Sequence, residues 1–509
     1  MREINFHELS EKDLKEKIIK IREDYDIELK KATSELPKSF WETYSSFCNT
    51  EGGYIILGVE EGTPDNKILG VNNPTNLLTN LWNQLSNLNK VSFRNVYNQD
   101  VQSFKIDNLV VIIVKVKEVL DRDKPVYIDN KIENAWIRTG DGDRKIKKAE
   151  LQAFLRNAQP EQDNLPASNF SIEDLDRDAI FAFKEQVDKR YPTKHFLDMD
   201  DKSFLIEIGA ARIDRITNKF EIFRGTLLFL GKYNSIKELF PRYHVDYFNY
   251  RGQNPRWTDR VSDDEPSGYE MNIFNFYRIV YEKLKIVLQE PFRLEKETQL
   301  RLPAQEFDET IRECLVNCLA HADYIQAYPS TKIEVFDGWF RFVNPGKMLV
   351  SKIQFAQGGD SRPRNEIIMK MFRLLGASER QGFGGPLIFK TALTNNYRVP
   401  EIETNIERTE LKVWNIDLVD SYPELSKDEK NVFRVIVKNN RAESIPSIAR
   451  KIGLSDYKVR KIISDLENKK LVDKMGKGPS TKYIVSFHNA EFLTQLQMVV
   501  DYFQKLLNK

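Results

Sequence analysis

The chain has 509 residues, 41% apolar and 30% charged, which is enough for several domains with cores of their own and excludes a wholly disordered protein. A formal net charge of +1 excludes a uniformly basic nucleic-acid coat, and three cysteines, Cys48, Cys314 and Cys318, are too few for a disulfide framework and suit a reducing compartment. The longest apolar stretch, Leu109 to Val116, already contains Lys115 and falls far short of a membrane span; the charged opening MREINFHELSEKDLKEK lacks a secretory core, so a cytoplasmic protein with no membrane partner is expected.

The first region, 1–157, opens with charged helical patterning. It continues through a strand at Tyr54 to Val59, a helical LLTNLWNQLSNL and a strand in NLVVIIVKV. Gly52 and Gly53 allow a tight turn into the first of these strands, and Arg138, Arg144, Lys145, Lys147 and Lys148 are candidates for a nucleic-acid surface. The run from Glu23 to Lys30, the passage SFCNTEGGYIILGVEEG, KPVYI and AWIRTGDGDRK together resemble the Schlafen AlbA-type domain. That resemblance implies nucleic-acid binding. In some Schlafen proteins three carboxylates of this domain hold a metal and cut RNA; the matching positions here are Glu23, Glu28 and Glu60 or Glu61.

Residues 158–174 contain two prolines and little apolar content and read as a linker. The middle region, 175–301, shows helical patterning around ARIDRI, a strand-like GTLLFLGK and an aromatic-rich passage from Arg242 to Phe276, with no identifiable chemistry.

In the next unit, 302–422, the spacing predicts a helix over Glu306 to Ala322 and a strand hairpin turning at Asp337-Gly338. Glu313, Asn317 and His321, four apart, share one face of that helix, while Leu315, Val316 and Leu319 serve the core. A carboxylate that polarises water and an amide oxygen that completes a magnesium shell are the groups a nucleotide site requires. Gly382, Gly384 and Gly385 would admit phosphates to the backbone, and Arg362 and Arg364 are candidate phosphate partners from a mobile lid. TIRECLVNCLAHADY, VNPG at Val343 to Gly346, SRPRN and ERQGFGG resemble the GHKL ATPases in their branch attached to RecG-related helicase proteins. The resemblance implies ATP and Mg2+ as cofactors, with Glu313 as the base, Asn317 as the metal ligand, and Asn344 and Gly346 at the adenine end. GHKL proteins place an Asp where Asn344 stands, but an Asn oxygen can accept the same bond. Zinc at Cys314, Cys318 and His321 lacks a fourth ligand, and the absence of GxxxxGK[ST] leaves no sign of a translocating motor.

Residues 423–485 carry about twice as many Lys and Arg as Asp and Glu and read helix, helix, helix, hairpin. This order resembles the winged helix-turn-helix of bacterial transcription factors. Tyr457, Lys458, Arg460 and Lys461 would face a major groove, and Lys474, Lys477 and Lys482 would load the wing with charge. Residues 486–509 suit an amphipathic helix, either packed on its own chain or joining two copies. The expected fold is therefore multidomain α+β: a Schlafen AlbA-like α/β domain, a GHKL-like α/β sandwich and a winged helix-turn-helix. The expected function is a nucleic-acid-binding regulator, with DNA and also RNA as candidate partners, that senses ATP. The rivals are a metal-dependent ribonuclease effector of a phage-defence or toxin system and an inactive assembly scaffold.

Overall fold

The structure, a computed structural model, describes residues 4–486 except 5, 159–161, 253–255, 266–267, 290–303, 327–328, 360–361, 379–381, 396, 439–441, 477 and 479–480. It divides into two units, 1–160 and 161–509.

The first unit runs α1 (Glu11–Lys20), β1 (Ile27–Lys30), α2 (Lys38–Asn49), β2 (Gly53–Leu57), a short pair β3 (Val59–Glu60) and β4 (Lys67–Ile68), α3 (Pro74–Leu85), β5 (Val101–Ile106), β6 (Leu109–Val116), the hairpin β7 (Trp136–Thr139) and β8 (Gly142–Lys145), and α4 (Lys148–Ala158). Its sheet has the order β1-β2-β6-β5, with β1 parallel to β2 and the other pairs antiparallel. The period of two explains the continuous apolar runs. Ile55, Leu57, Ile112 and Val114 face the core built with α2 and α3, while Tyr54, Ile56, Val111 and Ile113 face the one built with α1. Gly52 (φ +75°) and Gly53 admit no side chain: a Cβ would fall 2.6 Å from the Val116 carbonyl oxygen and 2.5 Å from the Phe47 ring.

The second unit begins with α5 (Arg177–Arg190), α6 (Asp201–Glu207), the hairpin β9 (Ala211–Ile213) and β10 (Phe220–Ile222), α7 (Arg224–Leu230), α8 (Tyr233–Leu239), β11 (Val245–Asn249), β12 (Asp259–Ser262) and α9 (Ile273–Gln289). It continues through α10 (Ala304–Ala320), β13 (Thr331–Phe336), β14 (Trp339–Pro345), α11 (Lys352–Gln357), α12 (Glu366–Leu375), α13 (Gly384–Thr394), β15 (Glu401–Thr404) and β16 (Arg408–Trp414). The tail supplies α14 (Lys427–Lys438), α15 (Ile445–Ile452), α16 (Asp456–Asn468) and the hairpin β17 (Val472–Met475) and β18 (Lys482–Val485). A six-stranded sheet, β12-β11-β13-β14-β16-β15, takes its first two strands from the middle region. One hydrophobic cluster runs from Ala167 to Val413, so residues on both sides of position 301 share a core. The tail has a separate cluster around Phe433, Ile448, Ile463 and Leu466.

Two readings of the middle region change. GTLLFLG, expected as a strand, lies in α7, whose residues Gly225 to Leu230 are all buried; a short apolar run cannot distinguish a buried helix from a buried strand. ARIDRI, expected as helical, forms β9 and the turn that follows it. The segment read as a linker is also partly structural. Asp163 accepts backbone N–H bonds from Glu366, Ile367 and Ile368 at 2.8, 2.8 and 3.1 Å, capping α12, and Ala167 is buried in the core.

Candidate nucleotide site and nucleic-acid surfaces

Helix α10 presents Glu313 and Asn317, and the turn just past its end presents His321, to one cavity, while Leu315, Val316 and Leu319 are buried beneath them. The Asn317 Nδ2 donates to Glu313 Oε1 at 3.1 Å, which orients the amide so that its Oδ1 makes no hydrogen bond among the described residues. Gly384, the first residue of α13, lies against the same carboxylate, and a Cβ there would fall 2.1 Å from Glu313 Oε1. At Gly385 a Cβ would fall 1.8 Å from the Phe355 carbonyl oxygen, and at Gly382 (φ +81°) 2.4 Å from that of Gly359. These three glycines line the cavity, and their missing side chains are what lets α13 close on α10 and α11.

The opposite wall is the sheet. Asn344 on β14 is buried, lines the cavity and donates its Nδ2 to the carbonyls of Pro345 (3.3 Å) and His321 (3.5 Å), which leaves Oδ1 without a hydrogen bond among the described residues. Apolar lining comes from Phe342, Met348, Leu349, Phe355, Ile402 and Leu411, and the space, open mouth included, is about 1110 Å³. Apolar walls with a few convergent polar groups are the usual build of a small-molecule site. Desolvation in this wall, with the Arg364 charge nearby, lowers the His321 imidazole to about 4, so it is neutral at physiological pH. Burial pushes the Cys314 and Cys318 thiols up, and Cys318 donates to the Val343 carbonyl, as packing residues do.

Arg362 lines the cavity, but Arg364 and Gly346 do not. Arg364 is buried and spends its guanidinium on the carbonyls of His321 (3.2 Å) and Lys347 (2.8 Å), so it braces the wall. Gly346 (φ +92°) makes the turn after β14, packed against Asp323 and Arg364. Sequence reasoning missed Lys347, Thr409, Met369 and Arg373, which also line the space. Lys347 directly follows the VNPG motif and could have been found; Thr409 is placed only by its pairing with Asn344 across β14 and β16.

In the first unit the expected metal-binding carboxylates are engaged otherwise. Glu28 is ion-paired with Arg138 (2.7 Å) and Lys30 (2.5 Å), and Glu60 with Lys31 (2.7 Å). Glu23 accepts the Leu29 N–H at 3.0 Å; desolvation raises its pKa, and the charges of Glu28 and Glu61, rather than Glu60, add to the rise. Among the described residues no group of three His, Cys, Asp or Glu side chains is placed to hold a metal ion. Arg138, expected on a nucleic-acid surface, is internal: its side chain is 3% exposed, paired with Glu28 and Asp143 and donating to the carbonyls of Asp24 and Ile27. Arg144 is tied to Glu150 through two hydrogen bonds at 2.6 and 3.0 Å.

In the tail, Val459, Ile462, Ile463 and Leu466 bury one side of α16, which leaves Tyr457, Lys458, Arg460 and Lys461 exposed on the other. Gly453 closes α15 in the left-handed region (φ +71°). Lys474 and Lys482 are exposed on the hairpin, and Lys458 meets Asp428 at 2.5 Å. Lys477 and the expected helix from 487 onward lie outside the described residues. No described helix is long and apolar enough to cross a membrane.

A mixed sheet facing a helix with Glu and Asn one turn apart, over a glycine-lined cavity, defines an ATPase-like α/β unit. Residues 330–413 match the family model described as "Putative ATP-dependent DNA helicase recG C-terminal", residues 23–147 match "Schlafen, AlbA_2", and residues 152–246 match "Domain of unknown function (DUF8451)". The chain thus carries a Schlafen AlbA-type domain joined to a RecG-related ATPase-like domain. Among solved structures it is similar to the DIP2311 protein from Corynebacterium diphtheriae (15% identity, TM-score 0.40, 91% of this chain and 92% of that one). It is also similar to the N-terminal domain of a "Putative ATP-dependent DNA Helicase RecG-related Protein" from Nitrosomonas europaea (23% identity, TM-score 0.19, 25% of this chain and 86% of that one). A comparison with curated proteins returned no match.

Proposed function

We propose that this chain is a DNA-binding regulator in which the central cavity binds ATP with magnesium and its occupancy biases the basic tail. The observation that carries the reading is the convergence of Glu313, Asn317, Asn344, Arg362 and the three glycines on one cavity. The residues fit the cofactor: Asn344 offers an acceptor suited to an exocyclic amine, Asn317 Oδ1 is oriented by Glu313 for a divalent cation, and Arg362 and Lys347 supply positive charge for phosphates. When bound, the nucleotide supplies a concentrated negative charge at the glycine-lined end. Among the described residues Glu313 is the only carboxylate lining the cavity, and it is the group positioned to take a proton from water if turnover occurs.

We read the tail as a winged helix-turn-helix with α16 as the recognition helix. Contiguous packing links it to the cavity. Strand β16 lines the cavity through Thr409 and Leu411 and ends at Trp414; the Arg398 guanidinium lies 4.5 Å from that ring and 5.1 Å from Tyr422, which packs on Phe433 of α14. Coupling requires the tail to prefer one nucleotide state, since an effector of equal affinity for both shifts nothing.

ATP with magnesium should stabilise the full chain against thermal unfolding, by about 2.7 kcal/mol at a hundredfold excess over Kd. Asn317→Ala should abolish the shift. Absence of any shift in the unmutated protein would sink the nucleotide reading. Duplex affinity unchanged by Lys458→Ala with Lys461→Ala would sink the DNA one.

A further inference from the structure

The β9–β10 hairpin projects a side chain that the fold does not use. Ile213 pairs with Phe220 and Arg212 with Glu221, and the six residues between the strands turn back on themselves. Ile216, at the tip, is 95% exposed and Ile213 on the same arm is 44% exposed. A lone exposed aliphatic on a pliant loop would need no explanation. This turn is built. The Asp214 carboxylate accepts the Ile216 and Thr217 N–H groups at 3.1 and 2.6 Å and the Thr217 hydroxyl at 2.7 Å, the Asp214 N–H bonds the Lys219 carbonyl at 2.9 Å, and Asn218 takes φ +56°. Those bonds hold Ile216 out in water, where its apolar surface gains nothing from burial.

The charges beside it have a pattern. Arg212 is neutralised by Glu221 at 2.9 Å and Asp214 at 3.9 Å. Arg215 and Lys219, exposed on either side of Ile216, make no ion pair among the described residues. A narrow apolar point flanked by two uncompensated cations suits a polyanion whose stacked interior can be entered. Minor-groove wedges combine an apolar side chain pushed between base steps with basic groups at the groove walls. A protein hot spot would instead centre on a larger desolvated pocket or anchor ringed by contacts that exclude water.

We infer that the β9–β10 hairpin is a duplex-DNA wedge, in which Ile216 enters the minor groove while Arg215 and Lys219 contact phosphates. The inference rests on the reading of this chain as a DNA binder and adds a contact outside both the tail and the Schlafen-type domain. An A·T-rich duplex labelled at both ends with a fluorescence-transfer pair tests it on the full chain. Ile216→Ala should bind about tenfold more weakly and lose the change in end-to-end transfer, with an unaltered unfolding midpoint. Arg215→Gln with Lys219→Gln should make the slope of log affinity on log salt shallower by about 1.8, at about 0.9 per phosphate contact.

Hairpin variants that match the unmutated protein, while Lys458→Ala with Lys461→Ala weakens binding, would overturn the wedge and leave the proposed function standing. No duplex binding by the unmutated chain at low salt would overturn both. A concentration-dependent increase in mass that Ile216→Asp abolishes, with duplex affinity unchanged, would make the tip a protein contact and overturn the wedge.

Discussion

His244 sits between two buried carboxylates, its Nδ1 2.5 Å from Asp263 Oδ1 and its Nε2 2.9 Å from Asp246 Oδ2. Hydrogen bonds to Asp246 and Asp263 push the imidazole up to about 10 from an ordinary 6.5. Because the folded value lies above the unfolded one, the stability this ring adds is fully present below about 6.5 and is lost as pH rises toward 10. The unfolding midpoint should therefore fall between pH 7 and 10, and His244→Gln should lower it at pH 7 and flatten that decline; an identical slope in the variant would remove the account. Gly384 makes a second residue-scale test. With 2.1 Å between a new Cβ and Glu313 Oε1, Gly384→Ala must displace α13 or the carboxylate, a strain of about 1–3 kcal/mol visible in denaturant unfolding, and should reduce the ATP-dependent thermal shift.

At the scale of elements, α12 depends on a residue from far upstream. Asp163 satisfies three N–H groups at its start, two of them on buried residues, and α12 carries Met369 and Arg373 into the cavity wall. Asp163→Ala leaves those donors unpaired, so a loss of about 1–3 kcal/mol in denaturant unfolding is expected, with a smaller nucleotide shift; Asp163→Asn, which keeps one acceptor oxygen, should lose less. Helix α10, the β13–β14 hairpin and the tail helices overlap the segments their apolar spacing predicts, with ends shifted by up to about four residues, because amphipathic period is a local property while helix ends are set by caps and neighbours. Helix α7 and the β9–β10 hairpin do not: an all-buried run carries no period, and ARIDRI forms a strand because β10 pairs with it.

For the whole molecule, the two-unit division falls at residue 160, inside the 158–174 segment that composition reads as a linker, and most of that segment belongs to the second unit. A fragment of 161–509 should unfold at a higher temperature than one of 175–509, which lacks Asp163, the buried Ala167 and the Arg224 N–H to Leu165 carbonyl bond; equal midpoints would show that those contacts add nothing. By itself the sequence determined the two domain types, β2, α3, β6, α10, the β13–β14 hairpin and the order of the tail elements, and the face of α10 that meets the cavity, since motifs and apolar periods lie within a few residues of one another. The tertiary structure alone decided that Arg138 is an internal partner of Glu28, that Arg364 braces a wall, that Glu60 is held by Lys31, and that Asp163 caps a helix 205 residues away. Burial and ion pairing are set by neighbours brought together from distant parts of the chain, and no local pattern encodes them.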